Sequence, residues 1–152
     1  MQETEDERLQ REHEQLFHEL RSIIPGVEVL FAFMLTVAFT ERFERLTDVQ
    51  RSVYYATFLC AGVAILLLLA PASFHRVRFR QDDKEVMLRL ANVEAIAALV
   101  LISIAVAGTV FLITDLMFSS AAAMLVSALM WVGTGALWWG VPLTREAAER
   151  VD

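Results

Sequence analysis

AIAALVLISIAVAGTVFLITDLMF, residues 95–118, decides the fold. Asp115, near its C-terminal end, is its only charged residue. A helix rising about 1.5 Å per residue through such a stretch crosses the ~30 Å hydrocarbon layer of a membrane. Glu94, Ala98, Leu101, Ala105, Gly108, Leu112 and Asp115 follow one another at alternating spacings of four and three, so they share one helix face as a heptad seam. Small residues at Ala98, Ala105 and Gly108 let a second helix approach closely, which is how membrane helices gain packing energy where no hydrophobic force drives them together. The seam predicts a helix interface. Glu94 and Asp115 stand at its two ends, about 31 Å apart at helical rise, and bracket the bilayer rather than meet in it.

Three more apolar runs accompany it, at 23–39, 53–74 and 119–143, and Glu28 is the only charge they contain. The fold class is therefore all-α: a polytopic membrane protein with four transmembrane helices. The composition agrees, since 57% hydrophobic residues and a mean hydropathy of +0.51 are too apolar for a small soluble domain. One transmembrane domain, 23–143, fills most of the chain, preceded by an acidic segment, 1–22, and followed by a short tail, 144–152.

Orientation follows from Lys and Arg near the spans. With four spans both termini share a side, which holds Arg8, Arg11, Arg21, the middle-loop residues Arg76, Arg78, Arg80, Lys84 and Arg89, and the tail residues Arg145 and Arg150. The other side holds only Arg42, Arg45 and Arg51. Both termini are expected in the cytoplasm.

The formal charge of -6 comes mainly from the N-terminal segment, which lacks the short basic region of a cleavable signal, so the first span is expected to stay in the membrane. A nucleic-acid partner is not expected without a basic footprint. Leu9, Leu16, Phe17, Leu20, Ile23 and Ile24 recur at helical spacing, predicting a cytoplasmic amphipathic helix. Its acidic opposite face favours contact with a protein segment or a second copy over anionic lipid. Pro25 and Gly26 predict a bend before the first span.

Thr47 and Gln50 read as a capping box at the start of the second helix, with Tyr54 and Tyr55 following as interfacial aromatics. Pro71 is expected to kink or end that helix. The stretch holding His75, Arg76, Arg78 and Arg80 then reads as a contact for lipid headgroups or a partner, and Asp82 or Asp83 as a cap for the third helix. In the fourth run Ser120, Ser127 and Thr134 lie seven apart as a polar stripe. Such hydroxyls either line a wet path or bond helix backbone. Trp131 is read as packing, Trp138 and Trp139 as interfacial anchors, and Pro142 as the stop.

Glu28 is the one ionisable group well inside the apolar layer, where a charge costs roughly 2.5 to 3.5 kcal/mol on insertion scales. Two readings are open: a proton or cation site, with Asp115 and Glu94 as mouth charges, or a hydrogen-bonded residue that fixes packing. Phosphate-loop, zinc-protease and paired-cysteine motifs are absent, and His13, His18 and His75 lack metal-ligand spacing. No catalytic residues, metal or cofactor are expected, and Cys60 reads as a small packing residue.

Taken together, Phe31-Ala32-Phe33-Met34-Leu35-Thr36-Val37, Arg42-Phe43, Leu46-Thr47, Tyr54-Tyr55, Ala70-Pro71, His75-Arg76, Phe79-Arg80 and Lys84 resemble the small bacterial integral membrane proteins of domain of unknown function 6328. The resemblance runs from Arg21 to about Phe118. It implies a multi-pass protein of the bacterial inner membrane, and members labelled sodium:proton antiporter imply cation/proton-linked transport. The chain itself shows none of the internal repeats or midplane polar clusters of secondary transporters. Transport would therefore call for a homo-oligomer. The alternative is an accessory or scaffold protein that binds a membrane partner through its N-terminal helix.

Overall fold

The computed structural model describes residues 5–77 and 84–140. The chain runs α1 (Glu5–Val37), α2 (Glu41–Glu44), α3 (Asp48–Val77), α4 (Lys84–Met117) and α5 (Ser120–Gly135), closed by one π-helical turn at Ala136–Gly140. No strand occurs among the described residues. Among the described residues four stretches are long and apolar enough to cross a membrane: His18–Val37, Asp48–Ser73, Leu88–Met117 and Ser120–Trp138. The protein is a helical membrane protein.

The expected bend at Pro25 does not break the helix. α1 is one helix from Glu5 to Val37 with Pro25 inside it, so the amphipathic segment and the first span belong to one continuous helix. Burial of Leu20, Val27 and Met34 at heptad spacing on one side holds the helix across a proline that removes one backbone hydrogen bond. α3 likewise continues through Pro71 to Val77. Residues 78–83 and 141–152 lie outside the described residues, and with them Arg78, Arg80, the Asp82 or Asp83 cap and Pro142. His75 and Arg76 fall in the last turn of α3.

Two compact units divide the chain, Met1–Leu46 with Phe58–Ile102 and Thr47–Thr57 with Ser103–Asp152. In the first, Leu20 and Val27 of α1, Ala64 and Leu68 of α3, and Ala95 and Ala98 of α4 form one core, with Ile23, Ile24, Ile65 and Leu101 packed on it. Alanines at the centre keep the helix axes close. Phe31 stacks on Phe58, ring centroids 4.7 Å apart at 16°, above the groove that Gly62 leaves open, where an added Cβ would lie 3.2 Å from the Phe31 ring.

In the second unit the contact between α3 and α4 is closer still. Thr57 is buried at 2% exposure and donates its hydroxyl to the Val53 carbonyl at 2.7 Å. Its side chain lies directly over Gly108, where a Cβ would collide with Oγ1 and stand 3.3 Å from the Thr57 Cβ. Ala105 and Leu112 are buried on either side of Gly108. The seam read from the α4 sequence is thus the face along which α4 packs in each unit. Ser119 caps α5, its hydroxyl accepting from the Ala122 N–H at 3.3 Å, so α4 and α5 join through Phe118 and Ser119 alone.

Candidate functional site

The carboxylates read from the sequence have separate surroundings. Glu28 lies near the middle of the His18–Val37 stretch, with about 14 Å of helix on either side. Its side chain is exposed, one position beyond the buried Val27. Among the described residues it has no hydrogen-bond or ion-pair partner. In a bilayer an exposed mid-span carboxyl meets hydrocarbon unless something covers it, and hydrocarbon offers neither donor nor acceptor. Just N-terminal to it, Pro25 has no N–H to give the Arg21 carbonyl, and Gly26 leaves open space where a Cβ would stand.

Glu94 is half-buried on α4, flanked by the buried Ala91, Ala95 and Ala98. Glu28 and Glu94 belong to the same unit and border the same core. Asp115 belongs to the other unit and has a different role. The Gln50 amide nitrogen donates to its Oδ2 at 2.7 Å, and the Ser120 side chain also hydrogen-bonds it. Gln50 is aimed by the expected capping box: the Thr47 N–H donates to Gln50 Oε1 at 3.0 Å, and the Gln50 N–H to Thr47 Oγ1 at 3.3 Å. One amide therefore caps α3 and ties it to the end of α4. A carboxylate at a helix C-terminus opposes the helix dipole, and the two side-chain donors compensate. Asp115 is a structural clamp in this arrangement. Only the capping half of it was readable, because Gln50 and Asp115 are 65 residues apart.

The polar stripe of α5 divides three ways. Ser120 joins the Asp115 cluster, Thr134 returns its hydroxyl to the Met130 carbonyl at 2.8 Å, and the buried Ser127 Oγ has no hydrogen-bond partner among the described residues. Thr36 and Thr109 also donate to the carbonyl four residues back, at 3.0 and 2.8 Å. These threonine hydroxyls are spent on their own helices. Two aromatic expectations change. Trp131 is 53% exposed rather than packed, and Tyr54 is buried at 6% while Tyr55 faces outward at 60%. A metal site of three or more His, Cys, Asp or Glu is absent among the described residues.

Over residues 2–142 the sequence matches the family described as "Family of unknown function (DUF6328)". No curated protein and no solved structure matches the chain significantly.

Proposed function

The chain belongs to this family of unknown function, and from that premise we propose that it acts as a homo-oligomer in the bacterial inner membrane, with Glu28 as a proton- or cation-exchange site shared between copies. One observation carries the proposal: Glu28 is exposed at mid-span and has no partner among the described residues. A single chain leaves it against lipid, and a second copy gives it a protein environment in which it can hold and release a proton. Glu94, half-buried on the same unit, is the next carboxylate along that route. Asp115, whose carboxylate accepts from Gln50 and Ser120, stays in this reading as a mouth charge. The test is Glu28→Gln, which keeps the shape and removes the ionisable group. Proton flux into vesicles should fall to the protein-free level, and flux equal to the parent removes Glu28 from the mechanism.

A second reading, an accessory protein that holds a membrane partner, draws on the continuity of α1. A helix that continues past the span and exposes Arg8, Arg11, Glu14, His18 and Glu19 makes a handle for another protein. Deleting residues 1–20 should then abolish co-purification of that partner, and unchanged recovery counts against the handle.

A further inference from the structure

We propose that Glu94 holds a proton and donates it to the main-chain carbonyl of Leu67, so that a carboxyl on α4 closes the gap Pro71 leaves in α3. The site stands on the contact between these two helices and goes beyond the role of Glu28. α3 and α4 meet antiparallel in steps of seven residues. In the second unit Gln50 donates to Asp115 and Thr57 lies over Gly108, seven residues on along α3 and seven back along α4. In the first unit the same step leads from Ala64 and Leu101, which share its core, to Pro71 and Glu94. Pro71 is buried and Glu94 half-buried, as residues of that seam should be.

Pro71 has no N–H and gives no helical bond to the Leu67 carbonyl. Leu67 packs against the core, where water does not replace the missing donor and an unpaired carbonyl is costly. The nearby Ser73 hydroxyl is committed to the Leu69 carbonyl at 3.4 Å. Glu94, for its part, has neither hydrogen bond nor ion pair among the described residues. It lies about 9 Å inside the start of the Leu88–Met117 stretch, a depth that disfavours an ionised carboxylate. No charge on α3 between Val53 and Phe74 faces it. On α1 His18, Arg21 and Glu28 are exposed, and on α4 the exposed Arg89 has another partner. A protonated carboxyl has one O–H to donate, and the freed carbonyl has room to accept it. Helices held close by alanines leave a glutamate side chain within reach of the facing backbone. Release of the proton sets a carboxylate against a carbonyl, two acceptors, and loosens α3 from α4 at this end.

The test is the infrared C=O absorption of protonated carboxyls in the full chain in lipid vesicles at neutral pH. The parent should show a hydrogen-bonded carboxyl band that Glu94→Gln removes. Pro71→Ala, which gives the Leu67 carbonyl an N–H from its own helix, should shift that band to higher frequency or abolish it. A band unchanged in either variant, or one lost in Glu28→Gln instead, overturns the assignment. Unfolding in micelles supplies a second readout. Glu94→Ala should destabilise the parent but not Pro71→Ala, and equal losses in the two backgrounds overturn the pairing. Both readouts follow the proton on Glu94 and not flux, so they succeed or fail separately from exchange at Glu28.

Discussion

Replacing Gly108 with alanine puts a methyl where Thr57 already is. The new Cβ would overlap Thr57 Oγ1 and stand 3.3 and 3.4 Å from its Cβ and Cγ2. Thr57 has little freedom to yield, being β-branched, 2% exposed and bonded to the Val53 carbonyl at 2.7 Å. Forcing one methyl into such a contact costs about 1 to 3 kcal/mol, against a helix-propensity gain of about 1 kcal/mol for glycine to alanine. The net expectation is a loss of about 1 kcal/mol. Gly133→Ala, where nothing lies within 4 Å, should keep the gain, so the two variants should differ by about 2 kcal/mol. Thr57→Ala combined with Gly108→Ala should recover most of the loss, a coupling of about 2 kcal/mol within the range seen for residues in contact. The assay is reversible unfolding in mixed micelles by tryptophan fluorescence. Gly108→Ala as stable as Gly133→Ala, or additive with Thr57→Ala, would refute the contact.

Gly62→Ala should be milder, under about 1 kcal/mol, because its neighbour is the edge of the Phe31 ring at 3.2 Å, which can give by a few tenths of an ångström. Thr47→Ala removes a cap and should cost about 1 kcal/mol. Gln50→Ala should cost more in the same unfolding assay, since it also frees Asp115, and equal losses would mean the tie to α4 carries nothing. Ser127→Ala removes a buried hydroxyl that has no partner among the described residues and whose desolvation costs about 1 to 3 kcal/mol. It should raise stability, and a clear loss would show that the hydroxyl is bonded in the membrane.

The α4 seam was legible because two signals coincide in it, a heptad spacing and small residues. Ala98, Ala105 and Leu112 are buried and Gly108 meets another helix. Its partner Thr57 was not legible, since a single threonine in an apolar run carries no periodic mark. The capping box was legible from four adjacent residues, while its link to Asp115 depends on how distant segments fold together. Pro25 illustrates a different limit: a proline in a helical pattern kinks, ends or is carried through a helix, and burial of Leu20 and Val27 by residues far along the chain decides which. For Glu28 the sequence gives depth, but the direction of the side chain depends on which α1 face the core claims. The hydroxyl stripe of α5 looked uniform only because spacing is blind to the Met130 carbonyl and to Asp115.

The most direct test of the exchange site is the pH change inside proteoliposomes under an imposed sodium or potassium gradient, with the membrane potential clamped by an ionophore, for the parent protein and Glu28→Gln side by side. Protein-dependent proton movement that requires the cation gradient and vanishes in Glu28→Gln is the predicted result. No movement under either gradient from folded parent protein, or the same movement in Glu28→Gln, would contradict it.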